Sequence, residues 1–289
     1  TIEVDAGATG TGEGAIGATR DLSLLRIGDG STFNAESTLK VKKIEFMAND
    51  SILNQTGNLT ITGETTGNGI VNIKGAVTLT GILGQDASVS GGAHVLTKLA
   101  LDGGSLTMAA SSEIYASAIE IGGHTLDASL GDAIIGDVKF TGGGALKLEN
   151  KTLTGDVDFA GKAATLEING GTITGDVDST SSANGTIKLG AAGATITGSM
   201  GASYGSTINF QNIDTTLSIG GASVKIAGTT NDNGKGTISL TKAGAIGFSG
   251  NLGAVLTPIS SFKWGDGAAR ALTLGDANIY AASINGQDA

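Results

Sequence analysis

A short sequence phrase recurs four times between Ile134 and Phe210, and it restricts the possible folds more than any other feature of the chain. Successive copies lie about 20 residues apart, and a second phrase of the form apolar, polar, apolar recurs between them at the same interval. A repeat of about 20 residues is typical of a solenoid. The first phrase occupies Ile135–Phe140, Thr154–Phe159, Thr174–Ser179 and Thr197–Met200, and the second occupies Leu146–Leu148, Leu166–Ile168, Ile187–Leu189 and Ile208–Phe210.

Both phrases alternate between apolar and polar residues, which is the pattern of a β-strand with one buried face. Such short strands cannot bury their apolar face alone. They can when coils stack on one another, with equivalent strands parallel and about 4.8 Å apart. The sequence therefore predicts an all-β fold, a right-handed parallel β-helix with roughly 20 residues per coil, and very little helix.

The repeat also predicts which side chains share a column along the solenoid. We expect one exposed column of alternating charge, which neighbouring side chains in a ladder prefer, and one buried column of matched volume. The exposed column is Lys147, Glu167, Lys188 and Asn209, and the buried column is Val138, Val157, Val177 and Met200.

The composition excludes several functional classes. With a net charge of −10 and only 17 Lys and Arg among 289 residues, the chain lacks a basic patch for nucleic acid. It has no cysteine, hence no disulfide framework and no thiolate metal site. No apolar run approaches the roughly 18 residues of a membrane span, so we expect no membrane insertion by this chain.

We expect residues 1–289 to form a single β-helix domain. Residues 1–20 form an irregular lead-in, and the start at Thr1 suggests a mature part of a longer protein. The period lengthens at residues 229–235, which predicts a protruding loop. Residues 255–266 contain the only Pro and the only Trp, which predicts an aromatic elaboration of one coil.

Asp137, Asp156 and Asp176 are the clearest candidates for a metal site, because one falls in each of the first three copies of the first phrase. Clustered carboxylates can bind Ca²⁺, but one carboxylate per coil supplies fewer oxygens than calcium prefers. A solvated outer face is the alternative, and it is the interpretation that we favour. The two histidines, His94 and His124, lie beside Gly-rich turns and are expected to be exposed loop residues.

No catalytic residue and no cofactor is predicted. No nucleophile motif with plausible triad partners occurs in the sequence. Glycan-active enzymes use acidic clusters and aromatic platforms, and the three arginines and the 4 % aromatic content of this chain argue against such a site.

We expect binding, if any, to map to the two irregular segments rather than to the regular coils. Loops on a rigid scaffold carry function more often than the scaffold does, and Trp, Tyr and Arg are the usual anchors of interfaces. Aromatic residues that fill the core of a distorted coil are the equally weighted alternative at the second segment. The candidate binding residues are Phe262, Lys263 and Trp264 in the second segment and Asn231, Asp232 and Asn233 in the first.

The phrases Thr172–Asp178, Gly185–Gly190, Asn58–Gly63 and Ala271–Ala277 resemble the passenger regions of bacterial autotransporters, and most closely those of rickettsial surface cell antigens. This resemblance implies a passenger that an outer-membrane barrel carries to the bacterial cell surface. It also implies adhesion to host cells or a protective surface layer. It carries over no catalytic motif and no individual adhesive residue.

The sequence thus predicts a non-catalytic secreted surface protein, an autotransporter passenger stalk that mediates adhesion to host cells. The expected partner is a host-cell surface protein or glycan. A self-associating surface-layer scaffold and a glycan-active β-helix enzyme, either a lyase or a hydrolase, are the alternatives. Self-association, saturable cell binding and polysaccharide turnover would distinguish the three.

Overall fold

The computed structural model describes residues 1–85, 95–182, 184–201, 203–230, 235–242, 245–265 and 271–286, without the side chains of residues 229 and 230. All regular structure in this part of the chain is β-strand. Parallel strands stack as a β-solenoid of about 12 turns with about 21 residues per turn, which confirms the predicted all-β parallel architecture. The chain forms two compact units, Thr1–Leu146 and Lys147–Ala289.

Unit 1 contains two series of parallel strands, and strands of one coil pair with strands of the next. The strands β1 and β2 lie within the first 20 residues and pair with β3 and β4 of the next coil. The first series is β1 (Ile2–Val4), β3 (Leu25–Ile27), β5 (Leu39–Phe46), β7 (Leu59–Thr66), β9 (Val77–Thr80), β12 (Leu106–Met108) and β14 (Thr125–Asp127). The second series is β2 (Thr9–Gly12), β4 (Thr32–Ala35), β6 (Ile52–Gln55), β8 (Ile70–Ile73), β10 (Ile82–Leu83), β11 (Lys98–Leu101), β13 (Glu113–Ile121) and β15 (Ala133–Phe140).

Unit 2 repeats this arrangement, and the division between the units falls within β16 (Ala145–Glu149). The first series is β19 (Thr165–Asn169), β22 (Thr186–Leu189), β24 (Ser206–Phe210), β26 (Ser223–Thr230), β28 (Ile246–Leu252) and β30 (Leu272–Ile279). The second series is β17 (Thr152–Thr154), β18 (Val157–Asp158), β20 (Gly171–Thr174), β21 (Val177–Asp178), β23 (Ala194–Ile196), β25 (Thr216–Ile219), β27 (Thr237–Leu240), β29 (Ile259–Trp264) and β31 (Ala281–Gly286).

The buried column predicted from the repeat is present in unit 2. Val157 pairs with Val177, and Val177 pairs with Met200 on the next coil. All three side chains are at most 1 % exposed. In unit 1, Val138 is also buried and pairs with Ile119. Equivalent apolar side chains therefore stack from coil to coil, which is how a thin solenoid obtains a close-packed core.

Three of the four members of the predicted exposed column are found in register. Glu167 pairs with Lys188, and Lys188 pairs with Asn209. The Lys188 ammonium lies 3.1 Å from a carboxylate oxygen of Glu167, and both side chains are a little more than one-third exposed. An exposed ion pair of this kind contributes at most about 1 kcal/mol to stability. It is therefore consistent with the register but is not a main source of the stability of the fold.

Unit 1 carries two further ladders of polar side chains across its coils. The amide of Asn54 donates to Asn34 at 2.7 Å, and that of Asn72 donates to Asn54 at 2.9 Å. These three residues are paired in the strand register, so identical side chains bond to one another along the solenoid. An amide can donate and accept at once, which lets each rung continue the chain of hydrogen bonds.

The second ladder of unit 1 is an ion-pair network. Arg26 lies 2.6 Å from Glu45 and 3.3 Å from Glu3, while Lys43 lies 3.7 Å from Glu45 and 3.1 Å from Glu64. The hydrogen bond from the Arg26 guanidinium holds the pKa of the Glu45 carboxyl below its ordinary value of 4.5. Because several charges share this network, it stabilises unit 1 more than an isolated surface pair would.

We predict that Val157→Asp lowers the free energy of unfolding by more than about 4 kcal/mol, because it buries an unpaired charge in the apolar column. A denaturant melt followed by circular dichroism measures the loss. The matched control is Thr195→Asp, which places the same charge on an exposed position and is expected to change stability by less than about 0.5 kcal/mol. Equal losses in the two variants would contradict the buried column.

We predict that Glu45→Gln lowers stability at neutral pH and that the difference from wild type shrinks in acid. The folded pKa of Glu45 is lowered, so its contribution is complete above the unfolded pKa and is lost as pH falls through the folded value. The expected loss at pH 7 is about 1 kcal/mol or less, and it should diminish with added salt. Melting curves between neutral and acidic pH test it, and a difference that grows on acidification would be inconsistent with the network.

Candidate functional site

Irregular turns of unit 2 lie together at one edge of the unit. At this edge the chain passes from a strand of the first series into a strand of the second, at residues 190–193, 211–215, 235–236, 253–258 and 280. Backbone hydrogen bonds link the turns of successive coils. Gly236 donates to the carbonyl of Ile213 at 3.2 Å, and Ser260 donates to that of Gly236 at 2.9 Å. The stacked coils therefore hold these turns beside one another.

The 253–258 turn is the most prominent of them. The N–H of Ala254 donates to the carbonyl of Thr257 at 3.1 Å, and the N–H of Thr257 donates back to that of Ala254 at 3.1 Å. Two reciprocal bonds close a tight turn with Val255 and Leu256 at its tip. Val255 is 73 % exposed and Leu256 is 85 % exposed, the highest values for large apolar side chains in the part of the chain that the structure describes.

The base of this turn is held by the next coil. The N–H of Tyr280 donates to the carbonyl of Leu252 at 2.8 Å, and the N–H of Ile259 donates to the carbonyl of Tyr280 at 3.0 Å. Leu252 and Ile259 are fully buried. Gly253 has a φ of +70°, in the left-handed region, and a Cβ there would meet the Tyr280 carbonyl oxygen. The turn therefore projects from a fixed base.

No protein-family model, curated protein or solved structure matches this chain.

The structure places the three candidate residues of the second segment on β29, beside the turn rather than within it. Phe262 is fully buried and contacts Phe248 edge-on, with ring centroids 5.2 Å apart. Trp264 is half-buried and is paired with Leu240 in an apolar column. Lys263 is exposed. Phe262 thus belongs to the core, which leaves Lys263 as the freely exposed side chain of the three.

Trp264 and Phe262 also line an apolar pocket of about 280 Å³. Their ring centroids lie 5.9 Å apart. The other lining residues are Leu272, Leu274, Ala277, Ile279 and Ile284. The aromatic elaboration expected at residues 255–266 therefore consists of an exposed turn followed by a strand whose aromatic rings face the interior.

The candidates Asn231, Asp232 and Asn233 lie outside the described residues. In the sequence they fall between β26 and β27.

The aspartate column makes hydrogen bonds between coils. A carboxylate oxygen of Asp156 accepts the N–H of Asp176 at 2.8 Å, and one of Asp176 accepts the N–H of Ser199 at 2.7 Å. Carboxylates that accept backbone N–H groups satisfy turn donors that would otherwise face solvent. In the described ranges, no three His, Asp or Glu side chains are close enough together to hold a metal ion.

A second pair of aspartates acts in the same way. Asp158 accepts the N–H of Thr180 at 3.0 Å and its hydroxyl at 2.9 Å. Asp178 accepts the N–H of Ser203 at 3.0 Å and that of Tyr204 at 3.3 Å. Of the two histidines, His124 is half-buried, and His94 lies outside the described residues. None of the described segments forms a helix long and apolar enough to cross a membrane.

Val255 and Leu256 were not predicted as binding residues. The available signal was two large apolar residues in a short segment bounded by Gly253 and Pro258, which are residues typical of turns. Apolar residues at the tip of a turn have no coil to pack against. Aromatic residues are the more usual interface anchors, and Phe262 and Trp264 lie on β29 instead.

We predict that Asp156→Asn is close to neutral and that Asp156→Ala lowers stability by about 1 kcal/mol, because only the amide keeps an oxygen to accept the Asp176 N–H. Melting curves measured with calcium and with a chelator test this. If calcium raised the melting temperature of wild type and not that of Asp156→Asn, the column would be a metal site after all.

We predict that Phe262→Ala lowers the free energy of unfolding by about 3–5 kcal/mol, because it leaves a cavity in the aromatic cluster. Lys263→Ala is the neighbouring control and should change stability by less than about 0.5 kcal/mol. Denaturant titration measures both. A Phe262→Ala variant as stable as wild type would show that this ring is not a core residue.

Proposed function

We propose that this chain is the non-catalytic stalk of a secreted bacterial surface protein and that it mediates adhesion to host cells. The observation that supports this most is the 253–258 turn, which holds two exposed apolar side chains on a fixed base. Exposed apolar residues on a rigid support are typical of contact sites, because little conformational entropy is lost when a partner binds.

The fold is consistent with this function. A solenoid extends in one dimension and displays turns along its edges, so it suits a protein that must hold a contact site away from a surface. The resemblance to autotransporter passengers favours the bacterial cell surface as its location and a component of the host-cell surface as its partner. The regular coils expose mainly Thr, Ser and Asp side chains, which are poor interface anchors.

The proposal is tested by attachment of the purified chain to cultured host cells. We expect saturable attachment that falls when the tip of the 253–258 turn is replaced by Gly and Ser, and separately when residues 231–234 are replaced by a short Gly-Ser turn. Attachment of the Lys263→Ala variant tests whether the exposed residue of β29 contributes to binding, because this substitution leaves the core unchanged.

The matched control exchanges the charges of the exposed column, as Glu167→Lys together with Lys188→Glu, which preserves the ion pair. This variant should attach as wild type does. If the edge variants attach normally while the exchanged column does not, the coils rather than the turns form the binding face. Turnover of a polysaccharide by the chain would instead favour the enzyme class.

A self-associating scaffold is the second candidate, and one feature of unit 2 favours it. Six threonines lie on three successive coils, where Thr152 pairs with Thr172, Thr172 with Thr195 and Thr154 with Thr174, and they carry no charge in a chain whose net charge is −10. Hydroxyls donate and accept hydrogen bonds, so such a face is complementary to a second copy of itself. These residues are Thr152, Thr154, Thr172, Thr174, Thr195 and Thr197.

Sedimentation velocity at rising concentration tests this second candidate. Self-association that Thr195→Lys abolishes would support it. The control is Thr165→Lys, which lies in the other series and two residues before Glu167. A wild-type chain that remains monomeric throughout would contradict it.

A further inference from the structure

We propose that the 253–258 turn inserts Val255 and Leu256 into a zwitterionic lipid surface. This inference rests on the proposed function, since it names the component of the host-cell surface that this turn contacts. It differs from the sequence-based expectation of no membrane insertion. That expectation came from the lack of a long apolar run, which excludes a spanning helix and does not address a shallow insertion.

The geometry of the turn suits insertion. Its two tip side chains are 73 % and 85 % exposed. Both strands at its base are anchored, through Leu252 and Ile259, to the backbone of Tyr280. A fixed tip loses little conformational entropy when it enters the lipid. The free energy gained by burying its apolar area is therefore not offset by the cost of ordering the loop.

The backbone of the turn is also suited to an apolar medium. An unpaired backbone N–H or C=O costs several kcal/mol in hydrocarbon. Ala254 and Thr257 each pair their N–H and their C=O with the other. The peptide groups of Val255 and Leu256 at the tip can find partners in the headgroup region, at the depth that two side chains reach.

Charge decides which lipid surface fits. Residues 251–260 contain no ionisable side chain, so insertion of the turn removes no charge from water. The chain as a whole has a net charge of −10, so an anionic bilayer would repel it. A zwitterionic bilayer imposes no such penalty, and binding to it depends on apolar area alone.

The chemistry of the tip favours lipid over a protein pocket. Protein interfaces concentrate their binding energy in Trp, Tyr and Arg, with polar groups that define orientation. The tip residues Val255 and Leu256 have no polar side-chain atom. Such a tip provides apolar area without directional recognition, which suits a lipid surface better than a specific receptor.

Another exposed leucine provides the matched control. Leu130 is 62 % exposed and also lies in a turn, where Gly131 donates to the carbonyl of Ala128 at 3.2 Å. Unlike Leu256, it has Asp127 and Asp132 within three residues. Insertion at Leu130 would bring these carboxylates to the lipid, so apolar exposure alone should not make this turn bind.

The test is co-sedimentation of the full chain with phosphatidylcholine vesicles. We expect wild type to sediment with them, and Val255→Ser with Leu256→Ser to reduce the bound fraction by about tenfold, because most of the inserted apolar area is removed. Leu130→Ser should bind as wild type does. Adding phosphatidylglycerol to the vesicles should weaken binding at low salt. Circular dichroism confirms that each variant is folded.

A fluorescent label measures insertion directly. Because the chain has no cysteine, Val255→Cys and Leu130→Cys each provide a single site for an environment-sensitive dye. We expect a blue shift with phosphatidylcholine vesicles for the label at position 255 and none for that at position 130. An unshifted label at 255, or vesicle binding that survives the double serine substitution, overturns the proposal.

The same variants separate this inference from the proposed function. If wild type attaches to host cells and the double serine variant does not, but neither binds vesicles, the turn contacts a protein or glycan and the lipid inference is wrong while adhesion stands. If wild type binds vesicles through the turn but does not attach to cells, the adhesive function is wrong.

Discussion

Parallel pairing of each coil with the next is the constraint on which the rest of this structure depends. A coil of about 21 residues is too short to enclose a core of its own, so its apolar side chains are buried only when the neighbouring coils are in register. A shift of one residue would turn every side chain of a strand to the opposite face. The apolar columns, the Asn34–Asn54–Asn72 ladder and the Glu167–Lys188 pair all follow from this one register.

The regular part of the fold could be predicted because the repeat in the sequence has the same length as one coil of the structure. Val157, Val177 and Met200 stand one coil apart in the sequence, and they are neighbours in the structure for that reason. The roles of the aspartates were harder to predict. Their period placed them in a column, but the sequence did not show that the backbone N–H groups of the following coil lie within reach of Asp156 and Asp176.

The candidate site was predicted less well, because irregular turns have no period. The sequence located the two irregular segments, but composition drew attention to the aromatic residues, and the structure shows that Phe262 fills the core. A strand at the edge of an apolar column and an exposed loop can contain the same residue types. A strand residue and a loop residue differ in where they lie relative to the turn. The sequence between Gly253 and Pro258 did not show that its two apolar residues lie at the tip.

In unit 2, the carboxylates of Asp156, Asp158, Asp176 and Asp178 each accept a backbone N–H of the following coil. Each coil therefore provides acceptors to its successor and donors to its predecessor. A gene segment that encodes one complete coil carries both halves of this contact, so tandem duplication inserts a coil whose two sides already match its neighbours. Proteins of this kind can change length in evolution by whole coils without the invention of a new interface.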